Sequence, residues 1–498
     1  MVSHTTVPIN KNKIRPGFLL FVFSMYCLCS VIPGSAYTEI MVDPVPVPAG
    51  MVIVIVDGLG APYIYPEHTP HALDGNPLEV PSFHNLSMLG TTGAKVSVVR
   101  APQTYTEAGH SVLVTGNPKA LSDTVRIPMS TIYDVAHDYD HLAFGIMEKG
   151  DSSSICDEHD VMVHDASNSM NDPGMIVEST SSASSDNVCM HIKDIMQDQA
   201  LKLPDQLQES KQSSQERYDT YDRWTLTTAA QVVEYMAEEA PDQKYILTVN
   251  AGAVDAAGHY RKYDGYIGTI QGLDKDIVPL YQACTENNIA FIFTADHGMG
   301  FTSSDSKGGH QSDTYSGMDE SQMVPFIVHA PDVPVKVLYE AYGQEDIAPT
   351  VLSILNLPNG LKNSEGSQIP IKEHTTLGVR GTSIGTVELW KEGKLIQQAS
   401  NDNDYLFIGL DRKERYIVKF IPDDTRSKIL EQEIEPGSDQ LVVFSMDTSG
   451  SAGADYRKPR YIIGAFLIIL INIVGLLYIR RILKSNDQSI SLSMSDVD

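Results

Sequence analysis

The chain has 498 residues, 42% of them hydrophobic, and a formal net charge of −28 at pH 7. Such acidity excludes nucleic-acid binding as the main activity, because a phosphate backbone demands a basic surface, and the apolar content excludes a wholly disordered or fibrous chain. The length exceeds what one core usually supports, so two or three folded units are expected, one of them large.

Residues 1–36 read as a secretory signal. Lys11, Lys13 and Arg15 precede an apolar run from Phe18 to Ile32, and Gly34, Ser35 and Ala36 supply small residues for cleavage. An uncleaved N-terminal anchor is the alternative; the body is exported in either case. Of the five cysteines, Cys27 and Cys29 fall in this segment. Cys156, Cys189 and Cys284 form no zinc motif; a Cys156–Cys189 disulfide is one option outside the cell, and Cys284, in a helical stretch, is expected to be buried.

The large unit spans 37–385. Met51 to Val56 is an apolar, β-branched run that ends in Asp57-Gly58-Leu59-Gly60, the pattern of a strand buried on both faces and followed by a tight loop. Tyr245 to Val249, leading into Asn250 to Asp255, and Ala290 to Thr294, leading into Asp296-His297-Gly298, repeat that design. Each strand delivers a carboxylate just past its carboxyl end, where open α/β sheets bind ligands. Helical spacing over 222–239 and 266–283, and an apolar helix opening at Asp346 to Thr350, alternate with the strands. The fold class is therefore α/β, a mostly parallel sheet with helices on both faces. Between about 118 and 221 Ser- and Asp-rich stretches interrupt the pattern, which reads as an inserted cap.

After Gly385 the pattern changes to short runs. Val387 to Trp390, a turn at Lys391 to Lys394 and Leu395 to Gln398 form a hairpin candidate, and Tyr405 to Leu410, Tyr416 to Ile421 and Leu441 to Phe444 add strands. A small β-sandwich over 386–447 is expected. Tyr461 to Ile479 is apolar apart from Asn472 and would extend about 28 Å as a helix, enough to cross a bilayer. Arg457, Lys458 and Arg460 on one side and Arg480, Arg481 and Lys484 on the other leave its orientation to the signal. The expectation is a single-pass protein of the cell membrane, with the body outside and a tail at 480–498 inside.

Taken one at a time, the candidate site residues each have an ordinary alternative. Asp57 before a glycine fits a turn as readily as a ligand, and Asp296-His297 fits a capping pair as readily as a divalent-ion site. Asp255 and His259 are four apart and share a face if the segment is helical, with Gly258 leaving room for close approach. His310 follows two glycines in a loop. Thr106 opens a helix that runs to Gly116, as a capping hydroxyl, and a hydroxyl at a helix N-terminus is also well placed to attack phosphorus.

In order along the chain, Asp57-Gly58, Thr106-Glu107-Ala108-Gly109-His110, Asp255 with Gly258-His259, Asp296-His297-Gly298 and His310 resemble the motifs of the alkaline phosphatase superfamily. They are most similar to the branch of cofactor-independent phosphoglycerate mutase and phosphopentomutase, and to type I phosphodiesterase/nucleotide pyrophosphatase. The resemblance implies two divalent metal ions, zinc or manganese, one held by Asp255, His259 and His310 and the other by Asp57, Thr106, Asp296 and His297. Thr106 would be the nucleophile of a phosphothreonine mechanism, with ions about 4 Å apart holding the phosphoryl group. Arg261 and Lys262 are candidate contacts for a phosphorylated small-molecule, lipid or sugar substrate. The implied activity is phosphate monoester or diester hydrolysis. A phosphomutase or phosphoryl-group transferase is the alternative, and a non-catalytic surface binding protein a further one. Thr rather than Ser at position 106 and the lack of a basic cluster at 118–221 depart from the mutases, and a Cys-x-Pro-x-Arg sulfatase signature is absent.

Overall fold

The computed structural model describes residues 37–148, 153–424, 428–435 and 437–445. The signal at 1–36, the span at 461–479 and the tail at 480–498 lie outside the described residues. No helix among the described residues is long and apolar enough to cross a membrane.

In chain order the first strands are β1 (Thr38–Met41), β2 (Gly50–Val56), β3 (Ala94–Arg100), β4 (Leu142–Met147), β5 (Val161–Asp165), β6 (Met175–Ser179), β7 (Tyr245–Ala251) and β8 (Ile289–Thr294). A two-residue pair, β9 (Gly300–Phe301) and β10 (Gly308–Gly309), precedes β11 (Met323–His329) and β12 (Lys336–Gly343). The longer helices are α1 (His84–Thr92), α2 (Thr106–Thr115), α3 (Asn187–Gln208), α4 (Gln215–Glu239), α5 (Ala253–Glu286) and α6 (Ile347–Ile354).

Nine strands form one sheet in the order β12-β3-β11-β8-β2-β7-β4-β5-β6. Only β11 and β6 run against the others, so the sheet is mostly parallel, with helices on both faces. Every residue of β2, β7 and β8 is buried, which requires cover on both faces and explains why their sequences are continuous rather than alternating apolar runs. These three strands are neighbours at the centre of the sheet. Their carboxyl ends therefore lie side by side, and Asp57, Asp255 and Asp296 follow from them.

Two organisational expectations are corrected. The segment 118–221 is not an inserted cap: it supplies β4, β5 and β6, one flank of the main sheet. The apolar runs Leu-Ala-Phe-Gly-Ile-Met and Val-Met-Val-His-Asp pair in parallel there, while the Ser-rich stretches are the turns between elements. Nor is Gly385 a boundary. It sits inside β13 (His374–Lys391), which pairs along its length with β14 (Lys394–Asp411). With β15 (Tyr416–Pro422), β16 (Leu430–Ile434), β17 (Gln440–Phe444) and β1, they make one connected six-stranded sheet rather than the two packed sheets of a sandwich. Leu377, Val379, Val387, Tyr405, Phe407 and Phe420 give it a core of its own. On β14, Leu406 and Ile408 join the main core instead, so the stretch from Tyr405 to Leu410 is buried on both faces and joins the two cores. The hairpin turn falls where expected, with Lys391 opposite Lys394 and Glu392 and Gly393 at φ 48° and 75°, the left-handed pair that a two-residue turn needs.

Cys189 is a free thiol, so the Cys156–Cys189 disulfide is not formed. Cys284 is buried, as its helical setting suggests.

Candidate metal centre and active site

The loop after β2 begins with Asp57, fully buried, followed by Gly58 at φ 75°. A Cβ on Gly58 would meet Asp255 Cβ at 2.8 Å, so the glycine serves both the left-handed turn and the approach of α5. Gly58 N–H donates to Asp296 Oδ1 at 3.1 Å, and the same oxygen accepts from His297 N–H at 2.8 Å. These two bonds tie the ends of β2 and β8 together. Helix α5 is broken at Lys262 (φ 61°, ψ −174°). Its first segment carries Asp255 and His259 one turn apart, as their spacing predicts, with His259 Nε2 3.3 Å from Asp255 Oδ1.

His310 follows β10 and is only 3% exposed. Its Nδ1–H donates to the Thr104 carbonyl at 2.6 Å, while Thr104 Oγ1 donates to the His310 carbonyl at 2.6 Å. His310 Nε2 thus faces Asp255 Oδ1 at 3.4 Å and His259 Nε2 at 2.9 Å. His297 is set in the same way: Nδ1–H donates to the Gly298 carbonyl at 3.0 Å, which leaves Nε2 3.6 Å from Asp57 Oδ1 and 3.4 Å from Asp296 Oδ2. The rings of His297 and His310 stack with centroids 3.8 Å apart and 14° between planes.

Burial opposes protonation of His297, but the carboxylates of Asp296, Asp57 and Asp255 outweigh it and hold its pKa above the usual histidine value. Burial, followed by the neighbouring His297, pushes His310 down to about 3. Stacked rings do not both carry charge, and His310 is the neutral one. Burial raises Asp296.

These donors suit divalent cations. Asp255 Oδ1, His259 Nε2 and His310 Nε2 lie within 2.9–3.4 Å of one another, close to the edge of about 3.3 Å expected for a tetrahedron of ligands at zinc–nitrogen bond lengths. Each of the two buried histidines has its other ring nitrogen committed to a backbone carbonyl, the arrangement that orients metal-binding imidazoles. Asp57, Asp255 and His297 form a second close group, which places Asp255 between the two. Asp296 Oδ2 is buried and accepts no hydrogen bond.

Thr106 differs from its expected role in one respect. The N-cap of α2 is Tyr105, Thr106 is the first helical residue, and its hydroxyl lies 3.3 Å from His297 Nε2 rather than capping the helix. The helix ends on Gly116 at φ 67°, as expected. Arg261 and Lys262, expected to contact substrate phosphate, are engaged elsewhere. Arg261 donates to Gln215 Oε1 and lies 5.3 Å from the Tyr218 ring centroid, and Lys262 pairs with Asp305 at 2.7 Å. The break falls at Lys262 itself, and Arg261 lies before it on the segment that carries His259. A cleft bounded by His259, His310, Gln311, Ser312 and Tyr315 opens beside the cluster instead.

Two residues at the cluster, His110 and Asn250, carry motif or strand-end positions in the sequence but no role there. Their signal is spatial, since Asn250 Nδ2 and His110 Nε2 meet at 3.2 Å across 140 residues.

A family model described as the metalloenzyme superfamily matches residues 49–359. Among curated proteins, the 2,3-bisphosphoglycerate-independent phosphoglycerate mutase of Anaplasma phagocytophilum is 28% identical over 141 residues, 28% of this chain and 27% of that protein. The enzyme of the same name from Onchocerca volvulus is 28% identical over 145 residues, again 28% and 27% of the two chains. The chain spans about a quarter of the length of these relatives. Among solved structures, alkaline phosphatase PafA aligns with a TM-score of 0.46 at 14% identity, over 66% of this chain and 100% of that one. The lipoteichoic acid synthase LtaP from Listeria monocytogenes aligns at 0.43 and 10% identity, over 66% and 77%. Because the family model covers well over half of the chain, the protein belongs to the metalloenzyme superfamily, the alkaline-phosphatase-like enzymes.

Proposed function

We propose that the protein is a membrane-anchored, extracytoplasmic two-metal phosphohydrolase that acts on phosphate monoesters or diesters through a phosphothreonine at Thr106. The observation that carries the reading is the Thr106 hydroxyl, on the first turn of α2 and 3.3 Å from His297 Nε2, facing a group of buried carboxylates and imidazoles. Asp255, His259 and His310 would hold one divalent ion, and Asp57, Asp296, His297 and Thr106 the other, zinc and manganese both suiting the donors. When bound, the ions supply charge neutralisation for the phosphoryl oxygens and lower the pKa of the attacking hydroxyl. His297 Nε2 lies 3.3 Å from that hydroxyl, so the imidazole that would hold the ion also stands beside Thr106. The amide groups at the start of α2 add an anion-stabilising field at the same point. Export and anchoring rest on the sequence at 1–36 and 461–479.

A transfer or mutase reading is second, favoured by the phosphoglycerate mutases among the relatives. The two differ only in whether water or a second hydroxyl accepts the phosphoryl group. The test is turnover of an aryl phosphate by the full chain in detergent with added zinc or manganese, with acid-quenched mass spectrometry of the peptide containing Thr106. Release of inorganic phosphate together with a threonine peptide heavier by about 80 Da is expected, the mass of one added phosphoryl group. Inactivity with either metal, or unchanged turnover in Thr106→Ala, would refute it, and product analysis with a sugar or lipid acceptor separates hydrolysis from transfer.

A further inference from the structure

We infer that His110 is a positioning residue that holds the backbone of Thr106 beside the carboxylate of Asp296; this rests on the proposed phosphoryl-transfer reading. His110 lies one turn after Thr106 on α2 and is 1% exposed. Its Nδ1 is 2.9 Å from the Thr106 carbonyl oxygen and 3.5 Å from Asp296 Oδ2. Both neighbours are acceptors, so Nδ1 carries the hydrogen whichever way the Asn250 amide is turned. On the far side of the ring, Nε2 meets Asn250 Nδ2 at 3.2 Å, and Asn250 is itself fully buried on β7.

A histidine that bonds the carbonyl four residues back is a local habit of this chain, because His159 does the same to Ile155 at 2.8 Å and His191 to Asn187 at 2.8 Å. Three things set His110 apart. The carbonyl belongs to the residue that carries the attacking hydroxyl, the same nitrogen faces a carboxylate of the metal cluster, and Asn250 of β7 meets the ring from the other side. Asp296 Oδ1 is fixed by the N–H groups of Gly58 and His297, and His110 stands on the Oδ2 side. That carboxylate is thus hydrogen-bonded at Oδ1 and packed against the His110 ring at Oδ2, which limits its rotation. Outer-shell partners of this kind are worth about 10–100-fold in metal affinity or turnover.

Two amide substitutions separate positioning from simple filling of space. In His110→Asn the side-chain amide can occupy the place of Nδ1, and in His110→Gln the place of Nε2. The expected result is that His110→Gln loses about 10–100-fold in kcat with KM little changed and binds manganese correspondingly more weakly by titration calorimetry, while His110→Asn recovers most of both. Thermal melts of the manganese-free proteins control for folding. Equal kcat and manganese affinity in the two variants, or a His110→Gln that outperforms His110→Asn, would overturn the assignment. The calorimetric arm reads the positioning even where no substrate turns over, so a failure of the phosphohydrolase reading shows separately, as an inactive wild-type protein whose manganese affinity still depends on the donor at position 110.

Discussion

Helix α2 brings Thr106 to the cluster because Gly109 lets it lie against the end of β8, and Gly109→Ala is the substitution that tests this contact. A Cβ at position 109 would stand 2.4 Å from the Asp296 carbonyl oxygen, 2.8 Å from its carbonyl carbon and 2.9 Å from its Cβ, whereas ordinary contact begins at 3.4 Å. Two of the three are backbone atoms of a residue pinned by Gly58 and His297, so the helix must withdraw by about 1 Å. Displacements of that size at reacting groups cost about 100-fold in rate, equivalent to about 2.7 kcal/mol of barrier. Overpacking costs about 1–3 kcal/mol of stability, offset by about 1 kcal/mol of helix propensity gained, so the melting temperature should fall far less than the activity. Gly258→Ala is the matched comparison. The three atoms nearest its Cβ would all belong to the Met299 side chain, at 2.8–3.1 Å, and a thioether chain can move aside, which predicts a loss in kcat of less than about tenfold. The assay is kcat on an aryl phosphate at saturating manganese, beside a thermal melt. A Gly109→Ala protein with kcat within about threefold of wild type, or one no worse than Gly258→Ala, would refute the reasoning.

Chelation should abolish turnover and lower the melting temperature, with zinc or manganese restoring both, since a ligand that binds only the folded state stabilises it by mass action; an unchanged melt would count against a resident ion. Thr106→Ser should retain measurable turnover and show the added phosphate on serine, while Thr106→Ala shows neither, by quench mass spectrometry. Away from the cluster, Asp222 is buried, accepts from Ala253 N–H at 3.1 Å and has its pKa raised well above the usual value by burial and by the facing Glu148. The folded chain therefore keeps a proton that the unfolded chain releases above about pH 4, and stability is fullest below that pH and falls as pH rises towards the folded value. Asp222→Asn removes that loss, so its melting temperature relative to wild type should climb between about pH 5 and pH 8; a constant difference would contradict the assignment.

The strands that build the centre were legible because β2, β7 and β8 are buried on both faces and so read as unbroken apolar runs that end in acidic or polar residues. Ligand order was legible for the same reason: each carboxylate sits next to its strand in sequence. The flank at β4 to β6 was not, since its apolar runs are short and the Ser-rich turns between them dominate any window wide enough to show periodicity. Gly385 misled because β13 continues through a register shift between Arg380 and Gly385, where a glycine accommodates a bend rather than ending an element. The Thr106 hydroxyl looked like a cap because cap and first-turn positions differ by one residue, and only the distance to His297 distinguishes them. Arg261 and Lys262 were placed by adjacency to His259, but Arg261 lies beside Gln215 and Tyr218, and Lys262, at the helix break, pairs with Asp305. His110 and Asn250 pair across the fold, which no local pattern reports.

The acidic character of the chain bears on how a phosphate could reach this site. Asp57, Asp255 and Asp296 are 0, 4 and 0% exposed, and of the stacked histidines that face them only His297 favours a positive charge, since His310 is held neutral by burial and by His297. Buried carboxylates brought this close repel one another and are costly to keep ionised unless cations join them. The same cations are what a phosphoryl group requires, because the −28 background charge repels it. Folding of the strand ends, cation binding and anion binding are then coupled rather than separate properties. Cation binding should accordingly release protons, with a stoichiometry that rises as pH is lowered towards the raised pKa of Asp296. Proton release measured by titration in buffers of different ionisation enthalpy checks this. A proton count near zero at every pH would mean that the carboxylates are already ionised without the cation, and the coupling would then lose its physical basis.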